Sequence, residues 1–168
     1  MKDLTSRMLW QRVLRTLQKC FEHDQDDFWQ SPSHFNPISA ALLAALPVAA
    51  QLIPSINRKD PCFPTLLTES ITTLAAATAD APAHQKSLNT KILNHMRNDS
   101  AAVRLVAVRC ERAITDKLGE EWLGMLPEML PVIAESLEDD DESVEAEVHT
   151  WVARIEEVLG EKLDDMLN

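Results

Sequence analysis

The residues most able to do chemistry are scattered along this 168-residue chain. Its five histidines are dispersed, and none forms the His-x-x-x-His spacing that would aim two imidazoles from one helix face at a metal ion. Asp24 and Asp26 resemble the opening of a calcium-binding loop, but Trp29 stands where that loop needs Gly and Phe35 where it needs a bidentate Glu. We therefore expect no tightly bound metal.

Motifs for phosphate binding and nucleophilic catalysis are also missing from the sequence. The chain has only three glycines, far too dispersed for a dinucleotide-binding or phosphate-binding loop, which needs closely spaced Gly. No Gly-x-Ser-x-Gly elbow is present, although catalytic groups that meet only in space stay open at this stage. We expect a protein that is not an enzyme and that binds no cofactor and no small-molecule substrate.

The cysteines and the apolar runs bear on the cell compartment. Cys20, Cys62 and Cys110 show no zinc-ligand spacing, and an odd number fits no simple disulfide framework, which favours a reducing, intracellular compartment. No apolar run approaches the roughly 20 residues that a membrane span needs, so we expect no membrane partner. The first residues are interrupted by charges, unlike a signal peptide.

Two clusters of basic side chains could contact the phosphate groups of RNA or a partner protein. Such contacts would be weak and sensitive to salt, because phosphate neutralisation releases counterions. No aromatic side chains are interleaved for base stacking, so sequence-specific RNA recognition is not expected. The alternative is ordinary solubilising or structural charge. The residues are Arg12, Arg15 and Lys19 in the first predicted helix, and Arg104, Arg109 and Arg112 in a later one.

The C-terminal third of the chain is strongly acidic. Residues 116–168 hold 17 Asp and Glu against 3 Lys and Arg, a net charge of −14, whereas residues 1–115 carry +3. One interpretation is a solvated surface that keeps the protein soluble. The other is a docking face for a basic partner, or a guard against non-specific nucleic-acid binding. The candidate docking residues are Glu142, Glu145 and Glu156, of which Glu145 and Glu156 are expected to be exposed.

Helices must position all these side chains. Tyr is absent and Gly is scarce, whereas the good helix formers are abundant. Asn36-Pro37 predicts the start of the second helix, after a loop over residues 22–35, and Pro47 predicts a kink in it. Apolar residues recur at three- and four-residue steps over about 4–21, 36–53, 64–77 and 84–97, and in three further helices that end near 118, 137 and 159.

The C-terminal half contains an internal repeat. A shift of 41 residues superimposes Asp99 on Asp140, Ile92 on Ile133 and Leu118-Gly119 on Leu159-Gly160. A period near 40 with an Asp-containing turn is typical of HEAT repeats, which stack into an α-solenoid of antiparallel helix pairs. We therefore predict an all-α fold over residues 1–168 as a single HEAT-repeat domain, with the clearest repeats at 84–119 and 120–160.

One residue pair adds weight to the HEAT interpretation. Such repeats often place Asp in the turn and Arg early in the second helix, where the two form a ladder between repeats, and Asp99 and Arg104 match this pattern. Glu145 replaces the Arg in the following repeat. A repeat with nothing stacked beyond it needs no onward ladder, so residues 120–168 are predicted to be a capping repeat, with Trp151 in its core.

Residues from Leu126 onward resemble a known family. A Leu-Pro-x-x-x-Pro helix begins at Leu126, an acidic turn follows at 138–141, and the tail reads Val-Leu-Gly-Glu-Lys-Leu over 158–163. These features are similar to the C-terminal HEAT-repeat region of the U3 small nucleolar RNA-associated protein 10 family, also called HEAT repeat-containing protein 1. The resemblance covers about residues 62–168, and residues 1–60 carry no matching motif.

The resemblance implies a fragment of a much larger protein of the nucleus and nucleolus. Members of this family are non-catalytic scaffold subunits of the early small-subunit pre-ribosome, and they support pre-rRNA processing through contacts with other proteins. Association with the U3 snoRNP and with 5′ pre-rRNA would be indirect or weakly electrostatic. The alternative is a HEAT-repeat adaptor of another class, such as a fragment of a transport receptor or a phosphatase scaffold.

Overall fold

Helices dominate the described structure and confirm the all-α prediction. The computed structural model describes residues 4–51, 62–163 and 166, with side chains from residue 8 onward. No strand occurs within these ranges. The α-helices are α1 Leu4–Glu22, α2 Pro32–Ala44, α3 Leu46–Ala50, α4 Phe63–Ala77, α5 Pro82–His95, α6 Ala101–Leu118, α7 Glu120–Leu123, α8 Leu126–Ser136 and α9 Glu142–Leu159, with a 3-10 helix at Phe28–Gln30.

The helices form two layers of a solenoid. In one layer α1 packs on α4, α4 on α6 and α6 on α9, so that each helix contacts its neighbours in the row. In the other layer α2 contacts α5 and α5 contacts α8. Short turns join α5 to α6 and α8 to α9, which makes each pair antiparallel, and one continuous apolar core runs between the layers. This arrangement confirms the predicted α-solenoid.

The second helix begins earlier than its sequence suggests. The predicted start at Asn36-Pro37 is wrong, because α2 begins at Pro32 after Ser31 in an extended conformation. Pro is favoured in the first turn of a helix, where its missing N–H costs no hydrogen bond, so Pro32 is a competing start signal. Phe35 is fully buried and stacks on His84, and the earlier start places it in the core.

A break separates α2 from α3 just before Pro47, as the proline predicts. The predicted extension to Ile53 falls outside the described residues. Taken together, Pro32–Ala50 is long and apolar enough to cross a membrane by length and composition alone, contrary to the sequence expectation. Its apolar character has a structural explanation, since Phe35 and Leu46 are fully buried and α3 contacts α4 and α6.

The C-terminal elements follow the predicted pattern more closely. The α9 helix begins after Asp141, whose side chain accepts hydrogen bonds from the N–H groups of Ser143 and Val144, and it ends at the left-handed Gly160. Trp151 is fully buried, as predicted, and its Nε1 donates to the hydroxyl of Thr115 at 2.9 Å. The single helix predicted to end near residue 137 is split into α7 and α8.

Candidate interaction surfaces

Arg104 at the start of α6 links the last two helix pairs. Its Nε and one terminal nitrogen donate to the two carboxylate oxygens of Asp139 at 2.8 and 2.7 Å, and the latter nitrogen also reaches Asp140 at 2.7 Å. The other terminal nitrogen donates to the carbonyl oxygen of Asn98 at 3.0 Å. The Arg104 side chain is 13% exposed and that of Asp139 only 7%. The pair with Asp140 is the contact between repeats that the Asp–Arg pattern predicts, and Asp139 is a further partner that the pattern did not include.

The Arg104 guanidinium also changes the acid–base behaviour of its partner. Its hydrogen bonds to Asp139 hold the pKa of that carboxyl below its usual value, against the opposing effect of burial. The backbone N–H of Asp141 contributes in the same direction, donating to Asp139 at 2.9 Å. Asp139 therefore stays ionised at neutral pH in a largely enclosed position.

Further ion pairs join α6 and α9 along their length. Arg109 and Arg112 on α6 both reach the carboxylate of Glu147 on α9, at 3.2 and 2.7 Å. Arg154 on α9 returns to Asp116 on α6 at 2.6 Å. The contacts therefore cross the boundary in both directions and fix the register of the two helices.

The layer that contains α5 and α8 also carries ion pairs between neighbouring helix pairs, and these lie at the surface. Lys86 on α5 pairs with Glu128 on α8 at 2.7 Å, and Arg97 pairs with Glu135 at the same distance. All four side chains are well exposed, so each pair stabilises the fold only slightly. Together with the pairs between α6 and α9, they show that basic side chains of one helix pair face acidic side chains of the next, which accounts for part of the charge asymmetry along the chain.

This geometry bears on the three arginines predicted as phosphate contacts in α6. Arg104, Arg109 and Arg112 all engage carboxylates of the following repeat, and Arg104 is mostly enclosed. A phosphate group would have to compete with these carboxylates. The structural interpretation, a ladder between repeats, therefore has the stronger support for this cluster, and phosphate binding by it stays a prediction.

The basic cluster on α1 is differently placed. Arg12, Arg15 and Lys19 are all exposed. Lys19 pairs with Glu22 on the same helix at 2.6 Å, and the hydrogen bond from Lys19 lowers the pKa of Glu22. Arg12 and Arg15 form no ion pair with any side chain that the structure describes. The open basic surface of the described chain therefore includes α1.

The three acidic docking candidates are not equivalent. Glu142 is exposed at the start of α9, and Glu145 is partly exposed with a carboxylate oxygen 3.8 Å from Nε2 of His149. Glu156 is only 14% exposed, so the expectation that it lies on an open face is wrong. Its carboxylate accepts hydrogen bonds from the backbone N–H of Leu163 at 3.1 Å and from Lys162 at 2.7 Å.

Gly160 explains why Glu156 is covered. Its backbone has a φ of 72°, a left-handed conformation that favours glycine, and it turns the chain back along the end of α9. Leu163 is thereby fully buried. The Lys162 ammonium, together with the Leu163 N–H, lowers the pKa of Glu156. Glu156 therefore holds the tail in place, and Glu142 and Glu145 remain as candidates for an acidic face.

A buried carboxyl group lies where α6, α7 and α9 meet. Glu111 is fully buried, and one of its carboxylate oxygens accepts a hydrogen bond from Nε1 of Trp122 at 2.9 Å. Its other oxygen has no hydrogen-bond partner in the described structure. Burial raises the pKa of Glu111 to about 8, so the carboxyl is mainly neutral at pH 7.

Sequence reasoning missed this group. The available signal was a single carboxylate within the apolar spacing of α6, three residues after Val108 and three before Ile114, both of which are buried. That signal says only that the residue faces the core. The described residues bring no group of three metal-ligating side chains together, and the expected lack of a tight metal stays a prediction.

The fold and its ion-paired boundary place the chain in the class of α-solenoids built from stacked helix pairs. Comparisons with known proteins then give the family. A model of the BP28CT (NUC211) domain matches residues 1–29. The chain is 50% identical over 98% of its length to U3 small nucleolar RNA-associated protein 10 of Neurospora crassa, 47% over 98% to that of Coccidioides immitis, and 48% over 99% to that of Chaetomium globosum.

The chain belongs to the U3 small nucleolar RNA-associated protein 10 family, which confirms the resemblance noted from its sequence. The similarity extends further than that resemblance did, because it includes nearly all of residues 1–60 as well. The chain spans 9% of the length of each of these three relatives.

Proposed function

We propose that this chain is a non-catalytic scaffold segment of a nucleolar protein that acts with the U3 snoRNP in pre-rRNA processing and small-subunit ribosome assembly. The observation that carries this proposal is the 47–50% identity, over nearly the whole chain, to relatives whose name states an association with U3 small nucleolar RNA. An alternative HEAT adaptor, such as a transport receptor or phosphatase scaffold, gains no support from these relatives.

The packing of the chain supports a scaffold role. Solenoids bind partners over extended, shape-matched surfaces, and their repeats must hold a fixed orientation to do so. The ion pairs from Arg104 to Asp139 and from Arg112 to Glu147 provide that rigidity between the last two helix pairs. The acidic surface around Glu142 and Glu145 fits a basic assembly protein, since complementary charge guides docking.

RNA contact has a smaller part in this proposal. The α6 arginines are engaged with carboxylates, so the exposed guanidinium groups of Arg12 and Arg15 are the better candidates for phosphate contact. Such contacts carry no sequence information by themselves. The U3 snoRNP and the 5′ pre-rRNA would then be reached mainly through other proteins of the early pre-ribosome.

The test reverses the charge of two surface residues in the first turn of α9. Glu142→Lys with Glu145→Lys in the full-length protein should reduce recovery of basic small-subunit assembly proteins and slow pre-rRNA processing. A matched control, Glu120→Lys with Glu121→Lys, reverses the same number of exposed charges on α7. Unchanged partners and normal processing in the α9 variant would refute docking through this face. Equal losses in both variants would also refute it, because the effect would then be one of net charge.

A further inference from the structure

Helix α1 carries two parallel, largely apolar stripes, and the described fold buries residues of only one of them. Both stripes follow steps of four, three and four residues, the spacing of one helix face, and they are offset by a single position. The first stripe is Trp10, Leu14, Leu17 and Phe21, and the second is Leu9, Val13, Thr16 and Cys20. In the first stripe, Leu14 and Phe21 are fully buried. The second faces solvent throughout, with Leu9 61% exposed and Val13 39% exposed.

The first stripe joins α1 to α4. Ser70 on α4 donates to the carbonyl oxygen of Leu14 at 3.5 Å, and Gln18 donates to the carbonyl oxygen of Leu66 at 3.1 Å. Trp10 belongs to this stripe but is only half-buried, with its ring edge-to-face with Phe63 at 5.8 Å between centroids. Trp10 and Val13 are 42% and 39% exposed in the described chain.

The other helices of this layer show what a second apolar stripe means. Helix α6 has neighbours on both sides, α4 and α9, and it buries Leu105 and Val108 in addition to the stripe from Val103 to Ile114. Helix α9 packs on α6 on one side, and 41 residues after Leu105 and Val108 it carries Ala146 and His149, both exposed. A second apolar stripe thus accompanies a second helix neighbour in this layer, and α9 has neither within the part of the chain that the structure describes.

The charges beside the exposed stripe specify the neighbour further. Arg12, Arg15 and Lys19 lie along one side of it and are all exposed. On α6, Arg109 and Arg112 lie beside the contact with α9 and pair with Glu147 of that helix. A helix that packs on the second stripe of α1 would therefore present an apolar face with acidic residues on one flank.

We infer that the stripe Leu9–Val13–Thr16–Cys20 is the packing surface for an acidic-flanked helix of the longer polypeptide, one that lies outside residues 1–168. Relatives of the family supply such a polypeptide, since the chain spans only 9% of their length. The BP28CT match includes α1 and ends at residue 29, before α2 begins. The inference is independent of the proposed function.

Cys20 provides the test, because it lies within the stripe and is a free, exposed thiol. Cys62 is a second exposed thiol and serves as the internal control, while Cys110 is buried. The 168-residue chain and the full-length protein are labelled with iodoacetamide, and the rate at each site is followed by peptide mass spectrometry. We expect Cys20 to be labelled at least about tenfold more slowly in the full-length protein, as burial in a stable interface requires, with Cys62 little changed. Equal rates for Cys20 in the two proteins would overturn the inference.

A pair of variants makes the result specific to the stripe. Leu9→Glu with Val13→Glu in the full-length protein should restore fast labelling of Cys20, whereas Val48→Glu, at another exposed apolar residue, should leave it protected. Continued protection in the double variant would contradict the inference. Protection of Cys20 in the 168-residue chain that disappears on dilution would also overturn it, because the occupant would then be a second copy.

Discussion

The guanidinium group of Arg104 and the carboxylate of Asp139 form a two-point ion pair, with distances of 2.8 and 2.7 Å, across the boundary between the last two helix pairs. Paired geometry of this kind is the strong form of a charged hydrogen bond, and both groups are mostly shielded from water. The pair therefore stabilises the packing of α6 against the turn before α9.

Replacing Arg104 should destabilise the chain more than replacing an exposed arginine. In Arg104→Ala the Asp139 carboxylate keeps little access to water and loses its partner, which should cost about 2 kcal/mol in the free energy of unfolding. Arg97→Ala is the control, because Arg97 and Glu135 are 48% and 56% exposed, and it should cost less than about 1 kcal/mol. Equal losses for the two variants in denaturant unfolding would contradict the structural role given to Arg104.

Glu111 should make stability depend on pH. Burial raises its folded-state pKa from 4.5 to about 8, so the unfolded chain loses this proton at lower pH than the folded chain does. The contribution of the protonated Glu111 to the free energy of unfolding is complete below pH 4.5 and is lost as pH rises through about 8. The contribution of this group to the slope should approach about 1.4 kcal/mol per pH unit between those values. Glu111→Gln should remove that slope and be more stable than the parent at pH 8. Parallel unfolding profiles at pH 5.5 and 8 would contradict this account.

Trp151 should dominate the stability of the last helix pair. It is fully buried, and Trp151→Ala should cost roughly 3–5 kcal/mol in denaturant unfolding through the cavity it leaves. Trp151→Phe keeps most of the packing and removes the hydrogen bond to Thr115, so it should cost far less. A change under about 1 kcal/mol for the alanine variant would show that the core has been wrongly placed.

Any RNA affinity of the chain should depend on the basic cluster of α1, which is Arg12, Arg15 and Lys19. Arg12→Glu with Arg15→Glu should weaken binding to single-stranded RNA and lower the slope of log affinity against log salt by about 0.7 for each lost phosphate contact. The folded chain should tolerate these changes because both residues are exposed. Unchanged affinity in fluorescence anisotropy at low salt would show that Arg12 and Arg15 make no phosphate contacts.

Arg109→Glu with Arg112→Glu should instead lower the free energy of unfolding, since both residues pair with Glu147.

Local signals in the sequence were enough for the helices whose ends are marked by strong caps. The glycines at 119 and 160 both adopt positive φ and end α6 and α9 as predicted. The start of α2 was predicted at Asn36-Pro37, whereas the helix begins at Pro32. The earlier start accompanies the burial of Phe35, a tertiary contact that the local pattern at Asn36-Pro37 does not contain.

The candidate surfaces were harder to predict, because exposure depends on which segment packs against each helix. Arg104 matched a ladder pattern, but its partners became clear only from the approach of the next turn. Glu156 was expected on an open face, whereas the turn at Gly160 brings Leu163 back over it. The sequence placed Glu111 within the apolar spacing of α6 but gave no indication of its hydrogen bond to Trp122.

The most direct test of the proposed function is affinity purification of the intact full-length protein under mild salt, with bound proteins and bound RNA both identified. The account predicts recovery of small-subunit assembly proteins together with U3 RNA and 5′ pre-rRNA. It further predicts that removal of the RNA by nuclease leaves the protein partners bound, because a scaffold holds them by protein contact. Recovery of transport or phosphatase components without U3 RNA, or loss of every protein partner on nuclease treatment, would contradict it.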